Sequence, residues 1–139
     1  MSLARAEAVK RSAYVGLRFE EDQSGGIAFR TFVDGNRDGV RTRDIASGVD
    51  VPLEMPIRLS DLFPGVAIAL SDPSGPRDPV QVGSSDILSF APVGTATSGT
   101  VYIRGRDGTQ LGVRVLGATG RTRILRYEPR TDRWLELAW

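Results

Sequence analysis

From Ala13 the chain alternates: Ala13, Val15, Leu17 and Phe19 are apolar, while Tyr14, Gly16, Arg18 and Glu20 between them are not. A period of two over this length predicts a half-buried strand. Just upstream the pattern differs. "LARAEAVKR", residues 3–11, is rich in helix formers, and Glu7 stands four residues before Arg11, which predicts a helix over about 3–13. Leu3, Ala6, Val9 and Ala13 fall on one narrow face of it, the face expected to pack on a sheet. After the turn cluster "EEDQSGG", "IAFRTFV" at 27–33 alternates again, so 13–20 and 27–33 are expected to form a hairpin. Residues 46–65 are irregular and contain Pro52, Pro56 and Pro64, with a helical turn expected at "RLSDLF" near Ser60. Six short strand patterns follow, at 66–70, 86–90, 100–105, 111–116, 121–127 and 134–137. They are separated by the turn signals "DPSGPRDP", "PVGTATSG", "RDGT", "GATG" and "EPRTD".

One helix followed by many short strands predicts an α+β fold, an N-terminal helix packed on antiparallel β-sheet in a small sandwich. At 139 residues the chain is expected to form a single domain. The expected core is Val15, Leu17, Phe19, Ile27, Phe29, Val101, Ile103, Val113, Val115 and Leu125.

Composition changes the picture mainly by what it removes. The chain has no cysteine and no histidine, which excludes disulfides, thiolate metal sites and the commonest general base. The serines therefore lack a histidine partner, and Lys10 is the only lysine. No phosphate-loop spacing is present, so no enzymatic activity and no small-molecule substrate are expected.

Two stretches carry candidate chemistry. "DGNRDGVRTRDI", residues 34–45, places Asp34, Asn36, Asp38, Val40 and Thr42 at positions one, three, five, seven and nine of a calcium loop, with Gly39 as the turn glycine. Position twelve is Ile45 where a bidentate Glu belongs, Asp44 comes one residue early, and Arg37 and Arg41 add positive charge. The expectation is a polar turn whose Asp and Asn side chains bond their own backbone. Calcium is the one cofactor the sequence suggests, and no bound ion is expected.

The second stretch is the C-terminal one. The formal net charge of +1 is unevenly spread, because residues 100–139 hold eight arginines against four acidic residues. Arg121 and Arg123, two apart on a strand, share a face. With Arg114, Arg126, Arg130 and Arg133 they form a candidate nucleic-acid surface, although the parity of Arg126 is opposite and points it to the other face. Pairing of Arg121 and Arg123 with Glu128, Asp132 or Glu136 is the favoured alternative. Tyr127 and Trp134 flank "EPRTDR" and are expected to meet across a terminal hairpin, while Trp139 is expected at the surface.

The order of blocks "LARAEAVKRSAYVGLRF", "FVDGNRDG", "DILSFAPVGTATSGTVYI" and "GRTR" resembles the GspH/FimT family of type II secretion pseudopilins and type IV minor pilins. Ile87, Phe90, Pro92 and Gly94 echo the family's strand-and-turn motif with slightly different spacing. The resemblance implies that residues 3–13 are the C-terminal half of a longer helix and 14–139 the β-rich globular part. Its apolar first half would anchor the subunit in the inner membrane, with the globular domain in the periplasm or on the cell surface. "MSL" at residues 1–3 is then expected to replace that segment. The implied role is non-catalytic filament assembly with other pilin or pseudopilin subunits. The resemblance also implies an alternative, DNA capture through the Arg-rich C-terminal strands. A soluble extracellular binding or structural module is the second alternative.

Overall fold

The computed structural model describes residues 1–72 and 75–137. Trp139 lies outside them. In chain order the elements are α1 (Ser2–Arg11), β1 (Val15–Glu21), β2 (Ile27–Val33), α2 (Thr42–Ser47), β3 (Val51–Pro52), α3 (Leu59–Leu62), β4 (Ala67–Ile68) and β5 (Leu70–Asp72). They continue with β6 (Gly75–Arg77), β7 (Val80–Val82), β8 (Ile87–Phe90), β9 (Gly99–Arg104), β10 (Gln110–Leu116), β11 (Arg121–Glu128) and β12 (Arg133–Glu136). The strands are antiparallel throughout. One sheet runs β3-β2-β1-β8, the other β12-β11-β10-β9-β4 with β7 also on β9, and β5 pairs with β6.

The first strand pair is the expected hairpin, in register from Val15 opposite Val33 to Glu21 opposite Ile27. Asp22 builds its turn. One carboxylate oxygen accepts the Ser24 N–H at 2.9 Å, the Ser24 hydroxyl at 2.6 Å and the Gly26 N–H at 3.2 Å, and the other takes Arg58 Nε at 2.5 Å. The Ser24 hydroxyl, and then the Arg58 guanidinium, hold the Asp22 carboxyl down at about 2.

The helix ends in a Schellman turn. Ser12 takes the left-handed conformation at φ 52°, its N–H bonds the Val9 carbonyl at 3.3 Å, and the Ala13 N–H bonds the Ala8 carbonyl at 3.2 Å. Lys10 and Arg11 in the last turn suit the negative end of the helix dipole. The helix lies on β1 and β8.

The expected packing face is corrected by the structure. Leu3 and Val9 are 82% and 50% exposed, and Ala6 is exposed as well. The buried residues are Ala4 and Ala8, one turn apart on another stripe. Both helix faces carry apolar side chains, so periodicity alone could not choose between them. Close approach to a sheet chooses the face with the smaller ones.

Val15, Leu17 and Phe19 of β1, Leu88 and Phe90 of β8, and Val101 and Val115 of the second sheet join Ala4 and Ala8 in one core, with Val80, Val82 and Ile68. Four expected core residues, Ile27, Phe29, Ile103 and Val113, are only half-buried. Phe29, Ile103 and Val113 line an apolar cleft of about 270 Å³ between the sheets, which leaves one side of each open. Leu125 is buried, but its partner Gly112 places it on the other face of its sheet.

Several short elements were not legible: β3 lies in the stretch 46–65 read as irregular, β6 in the turn signal "DPSGPRDP", β7 just after it, and α2 begins inside the calcium-loop motif. Gly16, read as a solvent-facing position, is buried: a Cβ there would come 2.9 Å from the Cβ of Val40 and 3.0 Å from Ile87. The missing side chain lets the 34–50 segment lie down on the outer face of β1. There Val40, Phe32 and Ile87, with Ile45, form a second small core.

Candidate functional site

The 34–50 segment is held by three buried carboxylates, Asp34, Asp44 and Asp50. Asp34 accepts the Asn36 N–H at 3.1 Å on one oxygen and the Gly39 N–H at 2.9 Å on the other. Asp50, only 1% exposed, accepts the Gly35 N–H at 3.0 Å and the Arg41 N–H at 2.9 Å. Asp44 takes the Asn36 amide at 3.3 Å. Buried carboxylates need such donors, and backbone amides inside a folded loop need acceptors, so each set satisfies the other.

Of the five calcium-type positions, Asp34 spends both oxygens on backbone amides. Asn36 donates to Asp44, and Val40 turns its side chain into the second small core. Thr42 opens α2 at the surface. Asp38 Oδ2 faces Arg41 Nε at 3.6 Å and Arg43 at 3.7 Å, while its Oδ1 is buried with no hydrogen-bond partner among the described residues. No group of three or more acidic side chains among the described residues is arranged to hold a metal ion. Asp50 was missed because it lies beyond the loop motif. Its signal in the sequence was only a lone acidic residue before a short β-pair. Gly35 is fixed by the same closure, since a Cβ there would stand 1.8 Å from the Val49 carbonyl oxygen.

The candidate arginines do not form one surface. Paired residues on adjacent antiparallel strands share a face. Arg114 lies opposite Arg123 and Leu116 opposite Arg121, so Arg114, Arg121 and Arg123 stand together on the outer face. Arg126, opposite Leu111 and Leu135, and Arg133, opposite Glu128, have the other parity, and Arg130 is in the β11–β12 turn. Arg123 Nε pairs with Glu136 at 3.2 Å, whereas Arg121 has no ion pair among the described residues. Asp132 instead accepts the Tyr127 hydroxyl at 2.5 Å, and Glu128 accepts the Arg130 N–H at 3.2 Å. Tyr127 and Trp134 do meet across the terminal hairpin, directly paired with ring centroids 5.3 Å apart.

Gly120, the first residue of "GRTR", has a structural task. Its φ is +67°, and a Cβ on it would come 2.2 Å from the Gly94 carbonyl oxygen and 3.0 Å from Arg5 Nε. Arg5 itself reaches from α1 to donate from Nε to that Gly94 carbonyl at 3.4 Å. Gly94 has φ +93°. Three blocks separated by most of the chain therefore converge where the helix side meets the β8–β9 and β10–β11 turns.

These features define an antiparallel β domain with few helices, whose N-terminal helix is clasped to it and leaves an apolar stripe uncovered. The family model for "Type II transport protein GspH" matches residues 1–120, and the chain belongs to the GspH family. No curated protein and no solved structure matches the chain. The matched region ends at Gly120, so it includes Arg5, Gly94 and Arg114 but not Arg121 or Arg123.

Asp34→Ala and Asp50→Ala should each lower unfolding free energy by about 3 kcal/mol, since each strands two backbone amides that bond a charged acceptor. Urea unfolding measures this. Millimolar calcium should leave the wild-type melting temperature in place; a rise of several degrees that vanishes in Asp34→Ala would instead make the loop a cation site.

Gly120→Ala should cost about 2 kcal/mol or more, because it combines a left-handed backbone with a clash against the Gly94 carbonyl. Gly39→Ala, where φ is +90° but nothing lies within 4 Å, should cost less. Comparing the two by chemical denaturation isolates the clasp from the backbone effect.

Proposed function

We propose that this chain is the globular part of a minor pseudopilin, a non-catalytic subunit that acts in assembly of a type II secretion filament. Membership of the GspH family over residues 1–120 carries this reading. The helix supports it: α1 buries Ala4 and Ala8 against its own sheets and keeps Leu3, Ala6 and Val9 outward, a stripe suited to a neighbouring subunit's helix. No helix among the described residues is long and apolar enough to cross a membrane. In this reading the anchor is an apolar half-helix continuous with α1 on its N-terminal side, residues 14–139 act as one β-rich domain in a small pilin-like sandwich, and that domain stands in the periplasm. A type IV minor pilin would use the same parts.

The test is complementation. In the bacterium that carries the gene, deletion should stop export by the secretion system and the wild-type gene should restore it. Leu3→Asp with Val9→Asp should fail to restore it while the purified domain keeps its stability within about 0.5 kcal/mol, as exposed positions allow. Full export by that variant would remove the helix stripe from the assembly mechanism.

A second reading, DNA capture during uptake, is favoured by one observation, that Arg114, Arg121 and Arg123 share the outer face, while the Arg123–Glu136 ion pair counts against it. Binding of that kind is weak and sequence-independent and falls steeply with salt. Arg121→Ala with Arg123→Ala should lower affinity and flatten the salt slope by up to about two contacts in a gel-shift titration. Equal binding by the double variant would leave these arginines as surface charge.

A further inference from the structure

The outer face of the second sheet has another half, away from Arg114, Arg121 and Arg123. There β9, β11 and β12 bring Tyr102, Tyr127 and Trp134 together. Trp134 lies 5.0 Å from Tyr102 and 5.3 Å from Tyr127 between ring centroids, inclined by 59° and 48°. Gly112 makes this possible. A Cβ there would come 3.2 Å from the Tyr102 ring and push it back by a few tenths of an ångström, so the bare backbone lets the ring lie close on β10. Between this cluster and Leu70, Ser71, Arg77 and Gln81 is a cleft of about 430 Å³, which Asp132 also lines.

The far wall is built rather than incidental. Gln110, itself buried, accepts the Ser71 N–H at 2.8 Å and donates to the Ser71 carbonyl at 2.9 Å, which pins β5 beside the sheet. Arg104 bonds the Ser71 hydroxyl at 3.0 Å. Asp132 is oriented by the Tyr127 hydroxyl at 2.5 Å, which leaves its second oxygen for another donor. The Tyr102 hydroxyl and the Trp134 indole N–H have no hydrogen-bond partner among the described residues.

We propose that this cleft binds a neutral oligosaccharide. The volume is that of a small-ligand site. Aromatic rings offer flat apolar area with a polar edge, which matches the C–H faces and equatorial hydroxyls of a sugar ring. The Gln81 amide, the second Asp132 oxygen, the Tyr102 hydroxyl and the Trp134 N–H along the same cleft supply donors and acceptors together, as hydroxyl groups require. Among the described lining residues are one arginine and one aspartate, Arg77 and Asp132, so charges of both signs meet there and a polyanion finds no purely basic surface. The basic half of the same sheet face and the aromatic half are thus chemically distinct.

The test is an NMR titration of the 139-residue chain with two neutral probes, maltopentaose and chitotetraose, and with single-stranded DNA as the polyanion. The Trp134 indole signal is identified by its loss in Trp134→Phe. The expected result is a saturable shift of that signal with at least one neutral sugar at up to about 10 mM, little changed by salt. Gln81→Ala and Tyr102→Phe, which keep the fold, should each weaken binding roughly three- to tenfold, the loss of one hydrogen bond. No shift with either sugar would overturn the proposal, as would equal affinity in both variants. A salt-sensitive shift with DNA alone would overturn it too and assign the cleft to the arginine surface.

Discussion

The close approach of α1 to the sheets is the constraint on which the rest of this structure depends. Ala4 and Ala8 are small enough to bring the helix backbone down onto β1 and β8, and Val15, Leu88 and Phe90 fill the space beneath. At that distance Arg5 reaches the Gly94 carbonyl, and the β10–β11 turn can close over both only because residue 120 has no side chain. A larger residue at position 4 or 8 would lift the helix off the sheets, and the clasp would open with it. The clasp also ties the helix to the turn that starts β11, the strand carrying Arg121 and Arg123.

The same logic of complementary absence recurs on the other side of the first sheet. Gly16 removes a side chain so that Val40 can seat, and Gly35 removes another so that the Val49 carbonyl can pass. The polar cost of folding a segment of backbone down on a sheet is met by Asp34 and Asp50, whose four oxygens take four amide hydrogens. A motif that spaces oxygen ligands for a cation here supplies acceptors for its own chain. The chemistry is related, since in both cases carboxylates gather around positive partial charge.

The second sheet divides its labour by face and by end. Inward it presents Val101, Val113 and Val115. Outward it presents guanidinium groups at one end and a cluster of mutually tilted aromatic rings at the other. Both outward surfaces lie on the face that the helix does not cover. In the filament role proposed above, that face remains for other partners.

The sequence by itself determined the first helix, the pairing of β1 with β2 in a hairpin and the longer strands β8 to β12, because period-two alternation and turn residues are local signals that tertiary contacts here reinforce. It also placed Tyr127 against Trp134, since the hairpin turn between them fixes the pairing. The family, too, was legible, in the order of its blocks. What only the tertiary structure decided was which face wins where two were available. The helix has apolar residues on both sides, and packing distance, which no periodicity encodes, selected Ala4 and Ala8 over Leu3, Ala6 and Val9. β1 alternates, yet Gly16 is buried because a distant loop lies on it. The parity of Arg126 was legible in its spacing from Arg121 and Arg123, but only the register sends Arg133 to that same side, away from Arg114, Arg121 and Arg123. Asp50 and Gln110 act through partners 15 and 39 residues away. Contacts of that range leave no local trace in a sequence, because the chain between the partners can take any path that closes.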